Sequence, residues 1–403
     1  MKTSPPLIMH ILTYCDEDLG VAAGGSRQVL ELAKALALRG HEVTVVAPES
    51  HKTEPDFSVP AKIHMQWVSV VRWGRMRPVS FLVNSIRTLK RLLCTTRPDL
   101  LLWFDSPGQM APLWALRNAS CPVVYFVNGL PAEEVRGLWR LGPLLDLLTY
   151  GLRHAARRAK AVVSVCPEVL VGLQSLEPVD PKKCFVIRNG VDPDRFCPQS
   201  HERARQELNL GSSGPYIGFV GGFFPWHGLD TLVDAMAIVA KAFPTIQCLL
   251  VGDGQTKAAL EQRVDRLQLS PYIRFTGRAG FDAVPQWIAA CDVCVVLHRQ
   301  TRSYPGDSMK LWEYLACGRP VVATAGSGYG DTVSELRCGL PTAADDPDDL
   351  ARQLVTLLGD HHLRRSMGER GRAAVLRSHT WSARAAQLEQ VCHQVIAGTA
   401  LAA

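Results

Sequence analysis

The chain has 403 residues, 47% of them hydrophobic and 20% charged, with a formal net charge of +6. That length exceeds one comfortable core and predicts two domains, and the composition excludes an intrinsically disordered chain. A mildly basic balance suits an anionic ligand or a membrane surface without demanding nucleic acid. Twelve cysteines without regular spacing read as reduced thiols of a cytoplasmic protein. Cys291 and Cys294 form a CxxC, but Val293, Val295 and Val296 place them in a strand as core residues. Metal binding is the alternative, and it lacks a second Cys pair.

Taken in order, the apolar run from Leu7 to Leu12 is followed at once by Asp16-Glu17-Asp18. That predicts a first strand, not a signal peptide, and no apolar run reaches transmembrane length. Gly20, Gly24 and Gly25 follow, then a helix from about Ser26 to Arg39 stopped by Gly40, then a strand from Glu42 to Ala47. This is a βαβ unit of Rossmann type, without a full GxGxxG fingerprint. Gly24-Gly25 would let a ligand approach the backbone; a plain tight turn is the alternative. Arg72, Arg75 and Arg77 precede a predicted helix, Val79 to Leu93, which carries Arg87, Lys90 and Arg91. A second basic, apolar segment runs from Leu138 to Lys160, with Trp139, Leu144, Leu147, Arg153, Arg157 and Arg158. Such helices can rest on an anionic membrane or pack on a sheet with solvated basic faces. Strands at Leu100–Phe104, Val123–Val127, Ala161–Val165 and Phe185–Ile187 continue the pattern, and Asn128 stands at a strand end, where ligands of open α/β sheets bind.

The polar segment from Gln199 to Ser213 predicts the domain boundary, after which the pattern restarts. Strands at Tyr216–Val220, Ile246–Val251, Ile273–Thr276 and Val293–Leu297 alternate with helices at Leu229–Ala242, Thr256–Leu267 and Asp282–Ala290. Ser303 to Thr324 then opens with a Pro305-Gly306 turn. Asp307 or Ser308 sits at an N-cap position, and a short helix ends at Gly318 before a buried strand. Met309, Trp312 and Ala316 share one helical face, while Lys310 and Glu313 emerge together from the first turns. A cation and a carboxylate beside a helix N-terminus suit a phosphate carried on a hydroxyl-rich group. A surface Lys–Glu pair is the alternative. Helices at Asp348–Leu358, His361–Ser378 and Ser382–Ile396 close the chain. The expected domains are 1–198, 199–382, and a C-terminal helix, 383–403, that returns to the first.

Several motifs together resemble the retaining glycosyltransferases of family 4. These are Val186-Ile187-Arg188-Asn189-Gly190-Val191-Asp192 with Phe196, Phe219-Val220-Gly221 followed by Pro225-Trp226-His227-Gly228, Gly252-Asp253-Gly254, and Lys310-Leu311 through Glu313-Tyr314-Leu315-Ala316 to Gly318 and Pro320-Val321-Val322-Ala323. They span residues 7–325 in the family's order. The resemblance implies an α/β GT-B fold, two Rossmann-like doubly wound parallel-sheet domains facing across a cleft. The first would bind the acceptor and the second the nucleotide-sugar donor.

It also implies roles. Glu313 would accept hydrogen bonds from the ribose, while Lys310, the helix start at Ser308 and Met309, and the Gly24-Gly25 amides would neutralise the leaving diphosphate. Gly222, Gly252, Gly254 and Arg278 join the nucleotide-contacting set. The pattern's earlier Glu, eight residues before Glu313, is replaced by Pro305, and Asp307 is the nearest substitute carboxylate. The loop's usual Arg/Lys pair is replaced by Gly222 and His227, leaving the charge to Lys310 with His227 or Arg302. His227 as a helix cap is the alternative. Asn128 stands where many relatives carry Asp or His near the reacting sugar. No tightly bound cofactor and no metal are implied; the partners are a nucleotide-diphosphate-sugar and a saccharide or lipid-linked acceptor at the inner face of the membrane, with no nucleic acid. A nucleotide-sugar 2-epimerase and a non-catalytic nucleotide-sugar-binding relative are the rival readings.

Overall fold

The computed structural model describes residues 8–20, 24–50, 62–71, 76–104, 110–130, 142–211, 214–299 and 306–398. Leu7, Arg72, Arg75, Leu138, Trp139, Arg302 and Pro305, named above, lie outside them. The chain divides into two compact units, Met1–Arg188 with Trp381–Ala403, and Asn189–Thr380. The division falls before the polar segment expected to carry it, because Asn189–Phe196 is hydrogen-bonded into the second unit.

The first unit contains β1 (His10–Tyr14), α1 (Gly24–Leu38), β2 (Glu42–Pro48), β3 (Ile63–Val68), α2 (Met76–Thr95), β4 (Leu100–Phe104), α3 (Ala111–Ala115), β5 (Val123–Phe126), α4 (Gly142–Arg158), β6 (Ala161–Ser164), α5 (Pro167–Leu176) and β7 (Cys184–Val186). Its sheet runs β3-β2-β1-β4-β5-β6-β7 with every pairing parallel. Uninterrupted apolar strands such as Leu100–Phe104 are buried on both faces, as parallel sheets require. The order reverses between β1 and β4, so the switch point lies at their C-terminal ends.

The second unit contains α6 (His201–Glu207), β8 (Tyr216–Val220), α7 (Leu229–Ala242), β9 (Gln247–Val251), α8 (Lys257–Arg266), β10 (Ile273–Gly277), α9 (Val284–Ala290), β11 (Val293–Val296), α10 (Met309–Ala316), β12 (Val321–Thr324), α11 (Tyr329–Glu335), β13 (Gly339–Thr342), α12 (Pro347–Gly359) and α13 (His361–Ser378). Its parallel sheet runs β10-β9-β8-β11-β12-β13, with a switch point between β8 and β11. Cys291 and Cys294 are fully buried in its core, in line with a packing role. Among the described residues, no helix is long and apolar enough to cross a membrane.

The last helix, α14 (Trp381–Ile396), belongs to the first unit and packs on α1. Its Glu389, 6% exposed, accepts from Arg39 Nε at 2.6 Å and lies 3.2 Å from His41 Nε2. The Met9 amide donates to His41 Nδ1, which makes Nε2 the protonated nitrogen of the neutral ring. Burial sets against the ionised Glu389, but the Arg39 and His41 contacts hold its carboxyl below the ordinary value. Burial lowers the His41 pKa. For both groups the unfolded chain takes up protons first as pH falls, so the seam is strongest near neutrality and weakens in acid. Removing the carboxylate with Glu389→Ala should cost about 2 kcal/mol. It should also flatten the fall of the urea midpoint between pH 7 and pH 4, and an unchanged midpoint at pH 7 would show the seam to be inert.

Candidate functional site

In the second unit Gly222, His227, Gly252, Gly254 and Lys310 lie about the C-terminal ends of β8 and β9. The β8 strand ends in Gly221-Gly222, and the Lys310 stem lies over Gly221, whose φ is +152°. A Cβ at Gly252 (φ +147°) would stand 1.9 Å from the Gly221 carbonyl oxygen, so two loop backbones touch here. A Cβ at Gly254 would likewise meet the Phe223 backbone. Gly252 and Gly254 therefore hold one loop against another, a task that explains them without a ligand.

The His227 ring turns back along its own loop. Its Nδ1 lies 2.7 Å from the Gly222 carbonyl, which can only accept, so Nδ1 carries the proton and the neutral ring presents Nε2 as an acceptor. Nε2 lies 3.5 Å from the Lys310 ammonium nitrogen. The expected alternative, a helix cap, does not hold: the N-cap of α7 is Gly228, with no side-chain cap bond. Lys310 Nζ also stands 5.6 Å from the centre of the Phe219 ring. Among the described residues no carboxylate lies within ion-pair distance of it. Burial pushes its pKa down to about 8, partly opposed by Glu313. Glu313 is 4% exposed on the same helix, so the surface-pair reading does not hold either.

Helix α10 begins at Ser308, whose side chain makes no cap bond, although a serine there ordinarily bonds the first-turn amides. Those amides, at Met309 and Lys310, make the positive end of a helix dipole that a ligand can meet. The hydroxyl of Tyr314 accepts from the Val220 amide at 2.8 Å and donates to the Val220 carbonyl at 3.2 Å. It thereby fixes α10 to the end of β8. Sequence reading used Tyr314 only as a motif letter; no local signal reveals this contact.

Asp307 does not face these strand ends. It is 9% exposed, and its carboxylate accepts from the Asn189 amide and the Trp312 indole. The expected substitution of a catalytic carboxylate by Asp307 thus meets a side chain already committed to the protein. Arg278 is exposed just beyond β10. In the first unit, Gly24 has open space at its Cβ position, whereas at Gly25 a Cβ would lie 2.4 Å from Glu17 Oε1. The Glu17 side chain thus lies against Gly25 on its Cβ side, and burial raises its pKa. Asn128 donates to Gln28 on α1 at 2.6 Å. Among the described residues, no group of three or more His, Cys, Asp or Glu could hold a metal ion.

Because the Val220 amide is buried and has the Tyr314 hydroxyl as its acceptor, Tyr314→Phe should leave it unsatisfied and cost about 1–3 kcal/mol. Equilibrium urea unfolding checks this; a variant as stable as the parent would remove Tyr314 from the site's framework.

Residues 214–360 match the model of "Glycosyl transferases group 1", and residues 22–195 that of "Glycosyltransferase Family 4". An uncharacterized glycosyltransferase of Methanocaldococcus jannaschii is 34% identical over 74% of this chain and 76% of its own length. A GDP-mannose-dependent monoacylated alpha-(1-6)-phosphatidylinositol monomannoside mannosyltransferase of Corynebacterium glutamicum is 29% identical, over 77% of this chain and 80% of its own. Among solved structures, a sucrose-phosphate synthase from Thermosynechococcus elongatus superposes with a TM-score of 0.81 at 22% identity, covering 97% of this chain and 100% of that one. The two parallel sheets are those of the GT-B fold, and the chain belongs to glycosyltransferase family 4 (group 1).

Proposed function

We propose that the chain transfers a hexosyl group, with retention of anomeric configuration, from a nucleoside diphosphate sugar to a saccharide or lipid-linked acceptor. The observation that carries this reading is the start of α10. An uncapped helix N-terminus and the Lys310 ammonium stand at the end of β8, where open α/β sheets bind ligands, with Glu313 on the same helix. The diphosphate takes the first-turn amides, the Ser308 hydroxyl and Lys310, and the ribose hydroxyls donate to Glu313. Glycosyl transfer passes through an oxocarbenium-like state, so stabilising the departing diphosphate is the main chemical demand. Lys310 supplies fixed positive charge there, with no step assigned to a metal ion. His227, with its proton committed to Gly222, steadies the ammonium through Nε2. The name of the Corynebacterium relative supports a hexosyl donor and a lipid-anchored acceptor.

A membrane-bound acceptor fits the first unit's surface. On α2, Phe81, Leu89 and Leu92 face the core, while Val79 and Val83 are exposed alongside Arg87, Lys90 and Arg91. On α4 the basic face is weaker than its sequence suggests, because Arg153 and Arg157 both bind Glu177. We therefore assign peripheral contact with anionic lipid, at the cytoplasmic face, to α2. Val79→Ser with Val83→Ser should reduce co-sedimentation with phosphatidylglycerol vesicles; undiminished binding would remove α2 from that role.

The first test is a thermal-shift screen of UDP, GDP and their sugar conjugates, repeated on Lys310→Ala and Glu313→Ala. One nucleotide-sugar should raise the melting point of the parent and neither variant should respond. With the acceptor in hand, NMR of the product should show the donor's anomeric configuration. A folded parent that responds to nothing in the panel would end the donor-site reading. The pH dependence follows from Lys310. In the free protein its ammonium is half lost at its pKa of about 8, present nearly in full about two units below and lost as pH rises above. Nucleotide affinity should therefore fall towards tenfold per pH unit above that point, and Lys310→Arg, charged throughout, should flatten the profile. Isothermal titration between pH 7.5 and 9.5, on the order of two units around the pKa, reads both.

A further inference from the structure

The second unit is entered at Asn189 and left at Thr380, and both segments converge on α10. The Asn189 amide donates to Asp307 Oδ2 at 2.5 Å, and the Asn189 side-chain amide donates to the Asp307 carbonyl at 2.7 Å. Trp312 Nε1 lies 3.3 Å from both carboxylate oxygens. The Trp312 ring stacks on His379, with centres 3.9 Å apart and planes 12° from parallel. The His379 carbonyl accepts from Val191 at 3.0 Å, and Val191 bridges to Thr380, so the entering and leaving segments are also joined to each other. At the far end of α10, Arg372 gathers the carbonyls of Ala316, Phe196 and Pro193 at 2.7–3.0 Å.

We propose that Asp307 is a positioning residue, which pins the start of α10 to the entering segment and so sets where Lys310 and Glu313 stand. The proposal rests on the reading of α10 as the diphosphate and ribose site. A catalytic carboxylate must reach the reacting atoms, whereas this one is turned onto an amide and an indole. What those two donors require is an acceptor oxygen, not a charge. Asp307→Asn retains one such oxygen in the same place, and Asp307→Ala retains none. Trp312→Phe keeps an aromatic ring beside His379 and removes the indole donor together with part of the buried ring. The three variants separate the geometric task from an electrostatic or chemical one.

The experiment measures UDP and GDP affinity by isothermal titration in the full chain, its three variants and Lys310→Ala. Amide hydrogen exchange of the first turn of α10, without ligand, is followed in parallel. Asp307→Ala should weaken the preferred nucleotide tenfold or more and speed exchange at Leu311, whose amide donates to the Ser308 carbonyl. Asp307→Asn should stay within about threefold of the parent on both readouts. The proposal is overturned if Asp307→Asn loses as much affinity as Asp307→Ala, or if Asp307→Ala melts lower yet binds and exchanges like the parent. Should Asp307→Ala not fold, Trp312→Phe decides: faster exchange at the start of α10 supports the latch, and parent-like exchange removes it. If the parent binds neither nucleotide and Lys310→Ala changes nothing, the donor-site reading fails, while the exchange comparison still decides the role of Asp307.

Discussion

An eight-residue helix has little stability of its own, yet α10 must hold a lysine and a glutamate in fixed places at the mouth of a parallel sheet. Its order comes from tertiary contacts. Leu311, Trp312, Tyr314, Leu315 and Ala316 are buried almost completely, which ties five of its eight residues into the unit's core. The Tyr314 hydroxyl fixes one side to Val220, Asp307 fixes the start and Arg372 the end. With the helix held this way, its first-turn amides need no cap from Ser308. An N-terminus that satisfied itself would have nothing to offer an anion. The unsatisfied end is tolerated because it lies beyond the strands, where water or a ligand can reach it.

This arrangement also accounts for a lysine with a pKa near 8. Burial against Phe219 and Gly221 disfavours the ammonium, and the neighbouring His227 is tied by its proton to Gly222. A neutral imidazole acceptor steadies the ammonium without cancelling its charge, as a carboxylate at the same distance would. The charge therefore remains available to a diphosphate, and ligand binding itself favours the protonated form.

Strands rich in Val, Leu and Ile, and helices with a clear apolar stripe, were legible in the sequence to within a few residues; Leu229–Ala242 and His361–Ser378 carry the expected bounds. Three of the elements that escaped notice each lack a local signal. Strand β13 is Gly339-Leu340-Pro341-Thr342, whose Gly and Pro argue against a strand except at a sheet edge, where it lies. Helix α11 follows Gly326 and Gly328 and includes Gly330, which reads as loop. Strand β3 buries only its two ends, Ile63 and Val68, and so shows no apolar run. At the site, Lys310 and Glu313 could be found because one helix carries both. The partner of Asp307 is 118 residues away in sequence, and no local pattern reports it.

That distance bears on how the family's motifs should be understood. Asn189 belongs to the Val186–Asp192 signature and Asp307 precedes the Lys310–Ala323 signature, so two motifs far apart in the chain are two sides of one hydrogen-bonded joint. The signature begins at the end of β7, and its Asn189 holds the start of α10. The missing carboxylate at position 305 is then no reason to seek a replacement in Asp307, whose own carboxylate is bound by Asn189 and Trp312. Position 305 lies on the segment leading into α10, outside the described residues, and Asp307 is turned onto the protein beneath it. In the proposed reading the charge at the diphosphate comes from Lys310, and the place of Lys310 follows from a carboxylate turned onto the protein.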